Sequence, residues 1–271
     1  MPAPDRGPAP DETPAIEVIG ASKRWIARDQ VVPALDAVSL SVAPHEFLTL
    51  LGPSGCGKST LLSAIGGLLR PDTGEVRIGG RLVSGPDPTR VALVFQDPGL
   101  FPWRTVLENV EFGLELKGVA AARRREVARE LLGPVGLAGF ERRYPRELSG
   151  GMKQRVAIAR ALAMEAPILL MDEPFGALDE QTRLLMGEWL LEIWARTRKT
   201  VVFVTHSLQE AILLSQRIAV MSARPGRIKA LFEVKVPPPR DLAGPEATAL
   251  RAALWAEIRD ESRQALEEGR A

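Results

Sequence analysis

Apolar residues alternate with small polar ones at Val38, Leu40 and Val42 against Ser39, Ser41 and Ala43, the period of a strand with one buried face. Phe47-Leu48-Thr49-Leu50-Leu51 follows as a short apolar run that ends in a glycine-rich turn, and residues 58–69 then read as a helix closed by Arg70-Pro71. Ile168-Leu169-Leu170-Met171 and Val201-Val202-Phe203-Val204 are continuous apolar runs that end in polar residues. Strands covered on both faces read this way, and helical stretches between them mark an α/β fold with a parallel sheet. Residues 98–150 differ: helical in pattern, rich in Arg and Glu around 121–130 and interrupted by Gly and Pro. They predict a helical subdomain inserted into the α/β core. Residues 1–15, rich in Pro, Ala and acidic residues, predict a disordered tail. Val236-Pro237-Pro238-Pro239-Arg240-Asp241 predicts a stiff linker, and Leu250, Leu254 and Ile258 recur every four residues, which predicts an amphipathic terminal helix.

The turn after the second strand is Gly52-Pro53-Ser54-Gly55-Cys56-Gly57-Lys58-Ser59-Thr60, which fits G-x-x-x-x-G-K-[ST]. Glycines let backbone N–H groups turn inward around phosphate oxygens, and the helix that follows points its positive end at the same place. In such a loop Lys58 reaches the β- and γ-phosphates of a nucleotide and Ser59 offers a hydroxyl to Mg2+. Asp172 and Glu173 stand where the run 168–171 ends, and open α/β sheets collect ligands at such strand ends. There Asp172 can hold Mg2+ and Glu173 can accept a proton from an attacking water. Read alone, the pair is equally a solvated turn before Pro174. His206 ends the run 201–205, where it serves either as a structural residue or as a contact to the γ-phosphate. His45, beside a strand start, reads as structural.

Composition narrows the setting. The chain has 271 residues, 45% hydrophobic and 25% charged, enough for a substantial core. Its net charge of +1 gives no bulk electrostatic reason to invoke nucleic acid. Cys56 is the single cysteine, so an internal disulfide is excluded. No apolar run approaches the roughly 18 residues that span a bilayer, and the first residues lack a secretory layout. The expectation is a cytoplasmic chain whose membrane role, if any, is peripheral.

Leu148-Ser149-Gly150-Gly151-Met152-Lys153-Gln154-Arg155 resembles the signature sequence of ABC ATPases, and the resemblance extends over about residues 16–240. It implies a P-loop NTPase (RecA-like) core with an N-terminal antiparallel β subdomain and an inserted helical subdomain. It implies ATP and Mg2+ as cofactors and a head-to-tail homodimer, in which Ser149, Gly150 and Gly151 close over ATP held by the other copy's loop. Trp25 takes the place of the aromatic that stacks on adenine, commonly tyrosine. Gln96 matches the glutamine that bridges Mg2+ and the membrane partner, Asp179 closes the Ala177-Leu178-Asp179 loop, and His206 matches the switch histidine. Met152 departs from the usual glutamine, downstream of the phosphate donors.

A finer resemblance, to importers of nitrate, sulfonates and taurine, rests on residues 96–106, on the Met form of the signature and on Ala223-Arg224-Pro225-Gly226-Arg227-Ile228. It implies integral membrane permease subunits as partners, a solute-binding protein acting indirectly, and a place at the cytoplasmic face of the inner membrane. Importer motors for other small organic solutes look similar. The apolar stretch Leu100-Phe101-Pro102-Trp103 needs burial, either in this chain's core or against the permease. Soluble ABC proteins of translation or DNA repair usually carry two ATPase units or a long coiled-coil insertion, neither of which is present. A nucleotide-binding module that does not hydrolyse would lack Glu173 or His206, and the signature speaks against a P-loop kinase or GTPase.

Overall fold

The computed structural model describes residues 13–27, 30–237 and 239–268. Two compact units form, one from residues 1–87 and 198–271, the other from 88–197. The tail expected over 1–15 lies mostly outside the described residues. Of its last three, Ala15 donates its N–H to Val42 and accepts from Gly79, which ties it to the strands that follow.

The first unit opens with β1 (Ile16–Ala27), β2 (Gln30–Val42), β3 (Phe47–Leu51), α1 (Lys58–Ile65), β4 (Thr73–Ile78) and β5 (Arg81–Leu82). β2, β1, β4 and β5 form an antiparallel sheet in that order. Val38, Leu40 and Val42 are buried and Ser39 is exposed, as the alternation predicts. α1 is shorter than predicted and stops at Ile65. Gly67 turns left-handed at φ +73°, Leu68 donates to the Ser63 carbonyl and Gly67 to that of Ala64. That is the glycine-terminated helix end known as the Schellman motif. A Cβ on Gly67 would lie 2.3 Å from the Gly85 carbonyl oxygen, so a contact distant in sequence fixes where the helix ends.

The second unit contains β6 (Val91–Val94), α2 (Val106–Leu116), α3 (Ala121–Leu132), α4 (Gly150–Ala163), β7 (Ile168–Asp172) and α5 (Glu180–Thr197). β6 and β7 are parallel, with Val91 opposite Ile168 and Val94 opposite Met171. The helical stretch expected over 98–150 holds α2 and α3, and α4 starts at its last residue. A Cβ on Gly113 of α2 would sit 1.9 Å from the Met164 sulfur just beyond α4, so glycine permits that approach. Thr105 starts α2 with a capping box: its hydroxyl accepts from the Glu108 N–H, and the Glu108 carboxylate accepts from the Thr105 N–H at 2.7 Å. The Thr105 N–H, and after it the Thr105 hydroxyl donating at 2.8 Å, hold the Glu108 carboxyl below the usual carboxylate range. Thr105→Ala is expected to cost about 1 kcal/mol, read as an earlier midpoint in urea unfolding at unchanged slope.

The chain then returns to the first unit as β8 (Thr200–Thr205), α6 (Leu208–Leu214), β9 (Arg217–Met221), β10 (Ile228–Glu233) and α7 (Pro245–Glu268). β3 lies between β8 and β9, parallel to both, and β10 adds antiparallel to β9. Every residue of β3 and β8 is buried, which is why both read as unbroken apolar runs. α7 is the predicted terminal helix: Leu254 and Ile258 are buried against Ile212, Ile218 and Val220, with Leu250 packed beside them. Val236 of the expected linker joins the same cluster.

Candidate functional site

In the first unit Leu51 and Thr205 are paired neighbours at the ends of β3 and β8. The loop 52–57 and His206 therefore leave the sheet at the same edge, so a phosphate cradle and a histidine share one strand-end surface. Within the loop Gly55 and Gly57 take φ +77° and +99°, values that L side chains rarely adopt. A Cβ on Gly57 would meet the Ala34 carbonyl oxygen at 2.6 Å, and one on Gly52 would meet the Cys56 sulfur at 2.9 Å. Lys58 opens α1 and is 4% exposed. Its Nζ donates to the carbonyls of Gly52 (2.9 Å) and Pro53 (2.8 Å), so the ammonium sits inside the loop it serves. Pro53 and Cys56 are buried, and burial pushes the Cys56 thiol up, leaving it a packing group. Ser54, Gly55 and Ser59 are exposed and Thr60 is half-buried.

His206 is exposed at the head of α6. Next to it the Thr205 hydroxyl donates to Glu210 at 2.5 Å and accepts from the Ser207 N–H at 3.0 Å, while Ser207 caps α6 through the Glu210 N–H. This local network fixes the backbone that carries the histidine. Trp25 lies on β1, 46% exposed, with Lys23 Nζ 5.5 Å from its ring centroid. His45 has the structural role expected of it: its N–H donates to the Thr200 hydroxyl at 2.9 Å and its Nδ1 meets the Arg198 carbonyl.

In the second unit the register of β6 and β7 brings Gln96, Asp172 and Glu173 to one end of the pair. Glu173 has φ +44°, an unusual value for a residue with a Cβ, and its carbonyl accepts from the Gly176 N–H. Ser149 caps α4, its hydroxyl accepting from the Met152 N–H at 3.3 Å, and it is exposed together with Gly150. A Cβ on Gly151 would approach Leu178 Cδ2 to 2.9 Å, so the start of α4 packs on the loop that carries Asp179. Asp179 accepts from the Thr182 N–H and hydroxyl, and these bonds hold its carboxyl below the usual range. Trp103 is 71% exposed and stacks at 5.6 Å on Phe101, which in turn meets Phe112 at 4.5 Å. Of the two burial options for this stretch, the core does not take Trp103.

Three supports were not read from the sequence. Gln154, part of the signature string, is buried and donates to the Phe95 carbonyl, the residue before Gln96. Arg160 donates to the carbonyls of Pro98 and Gly99, and burial lowers its pKa. Gly226, quoted above only as a mark of resemblance, comes so close to the phosphate loop that its Cβ would lie 2.1 Å from the Cys56 carbonyl oxygen.

In the first unit the glycines leave room for phosphate oxygens where side chains would collide, and Ser59 offers a hydroxyl oxygen. In the second, Gln96 and Asp172 offer side-chain oxygens of the kind Mg2+ takes. Among the described residues no helix is long and apolar enough to cross a membrane.

Residues 35–176 match the model of the ABC transporter family. The taurine import ATP-binding protein of Chromobacterium violaceum is 54% identical over 199 residues, covering 73% of this chain and 76% of the relative. The nitrate import ATP-binding protein of Synechocystis is 46% identical over 222 residues, covering 82% and 83%. Among solved structures, a dimeric bacterial ABC transporter cassette aligns with a TM-score of 0.76 at 36% identity, covering 81% of this chain and 99% of the cassette. The same cassette in a post-hydrolysis state bound to ADP and Pi aligns with the same score at 35% identity.

Proposed function

This chain belongs to the ABC transporter family as an ATP-hydrolysing subunit, and from that premise we propose that it drives uptake of a small anionic solute of the taurine, sulfonate or nitrate type. One observation carries the reading: the phosphate loop and His206 leave adjacent parallel strands at one edge, beside relatives named for taurine and nitrate import.

In this reading the loop N–H groups and Lys58 hold the phosphates, and Trp25 stacks on the adenine. Ser59, Gln96 and Asp172 are the oxygen donors for Mg2+. When bound, that ion offsets the charge gathering on the γ-phosphate oxygens. Glu173 takes the proton of the attacking water and His206 contacts the γ-phosphate. Two copies pair head to tail, so Ser149, Gly150 and Gly151 of one copy close on ATP in the other, with Asp179 beside that contact. The pair sits peripherally at the cytoplasmic face of the membrane beneath two permease subunits, which receive solute from a binding protein. The chain purified and reconstituted with its permease should hydrolyse ATP and accumulate taurine or nitrate in vesicles. Hydrolysis without uptake of any small anion would leave the motor and remove the solute class.

The exposed Trp103 favours a membrane partner over a free-standing soluble ATPase, because this chain leaves most of its large apolar surface open beyond the contact with Phe101. Trp103→Ala is expected to shift unfolding by less than about 0.5 kcal/mol. Co-purification with the permease and uptake should both fall, while the basal hydrolysis of the isolated subunit persists. A large drop in melting temperature with assembly intact would assign the residue to packing instead.

A further inference from the structure

Helix α7 lies beyond the residues that match the family model, and nothing above gives it a task. It is firmly attached to the first unit. Ala247, Leu254 and Ile258 are buried with Leu51 and Val220, Lys229 bonds Glu261 at 2.9 Å, and Glu261 accepts from the Ala223 N–H at 2.6 Å. Leu51, which immediately precedes the phosphate loop, belongs to the same buried cluster as the apolar face of the helix.

Arg251 and Trp255 are four residues apart and so share one strip of α7, next to the buried Leu254 and Ile258. That strip forms one wall of a cavity of about 590 Å³, within the size range of small-molecule sites. The same cavity is lined by Gly52, Pro53 and Ser54 of the phosphate loop together with His206 and Gln209. No carboxylate lines it. Arg251 is half-buried and, among the described residues, its guanidinium makes no ion pair or hydrogen bond. A guanidinium with five donors and no counter-ion, lining one cavity with a phosphate loop, is suited to receive an anion with several oxygens.

We propose that Arg251 is a phosphate-binding residue of the ATPase site, receiving a terminal phosphate that is either still on the nucleotide or freed from it. Trp255, 52% exposed, lines the same cavity one helical turn from Arg251. The inference rests on the ATPase reading and deepens it: the terminal helix, outside the matched family region, supplies a cation to the nucleotide pocket.

The test uses the full chain with Arg251→Ala and Arg251→Lys, after thermal unfolding shows that both fold as the wild type does. If the contact is to the nucleotide, Arg251→Ala raises KM for ATP about tenfold or more and leaves ADP affinity unmoved. If it is to freed phosphate, KM holds and the inhibition constant for inorganic phosphate rises by a similar factor. Arg251→Lys recovers part of either loss, since it restores charge without the planar fork. Titrating inorganic phosphate against the fluorescence of Trp255, identified by its absence in Trp255→Phe, needs no turnover. It therefore tests Arg251 even if the wild type failed to hydrolyse ATP, a failure that would count against the ATPase reading alone. Unchanged KM, unchanged phosphate inhibition and unchanged phosphate titration in Arg251→Ala would overturn the proposal.

Discussion

Lys58→Ala is expected to lower ATP turnover by about 10²–10³-fold, with ATP affinity falling alongside it. Lys58 is the one basic residue within Gly52–Thr60. Its ammonium is almost wholly buried and aimed inward, held by the Gly52 and Pro53 carbonyls at 2.9 and 2.8 Å. Burying a charge is costly unless it is paired, so two neutral carbonyls make a modest resting place for it. Phosphate oxygens offer a stronger one. The same geometry means that alanine removes a donor from two carbonyls, of which Pro53 keeps the Cys56 N–H, so the variant's unfolding must be followed beside its kinetics. Arg224 is the residue that could soften the loss: its Nε donates to the Gly55 carbonyl at 3.4 Å, which sets a second cation at the rim of the loop. Hydrolysis near the wild-type rate in Lys58→Ala would move the phosphate contact to Arg224, and Lys58→Ala combined with Arg224→Ala would then show the full drop. Turnover that survives even in the double variant would remove the loop from the reaction.

Legibility in the sequence followed the distance over which each feature is determined. The phosphate loop was readable because its glycines, lysine and following helix act on one another within nine residues. The helix start at Ser149 is likewise local, its hydroxyl bonded three residues ahead. The end of α1 was misjudged by four residues because Gly67 is locked by its approach to Gly85, which no local pattern announces. Gln154, Arg160 and Gly226 escaped for the same reason. Each works through a backbone group far away in the chain, and a buried Gln or Arg in a helix reads as surface when only its spacing is known. The period of α7 showed which face it buries, through Leu250, Leu254 and Ile258. Its place at the cavity it shares with the phosphate loop, and hence the meaning of Arg251, depends on where that face docks.

Glu173→Gln is expected to reduce hydrolysis by about 10²–10⁴-fold while ATP binding stays close to that of the wild type. The substitution suits the question because it removes the ability to take a proton and little else. Glu173 holds a backbone conformation of φ +44°, which costs free energy for any residue with a Cβ and persists only where the surroundings enforce it. Here the Gly176 N–H bonds its carbonyl, and Pro174 and Phe175 are buried immediately after it. Glutamine has nearly the same shape and, like glutamate, an unbranched Cβ, so the strain, the packing and the reach of the side chain all remain. Glycine would relax the strain and alanine would shorten the reach, and either would confuse a lost proton acceptor with a displaced loop. With binding intact and hydrolysis blocked, ATP should hold two copies together, seen as a dimer on size exclusion that the wild type loses on turnover. Near-normal hydrolysis in Glu173→Gln would pass the proton-accepting role to His206, which also follows a strand end, and His206→Ala would then carry the loss. A variant that neither hydrolyses nor binds ATP would instead make Glu173 part of the binding surface, since an uncharged isostere that abolishes affinity cannot have been acting only on the water.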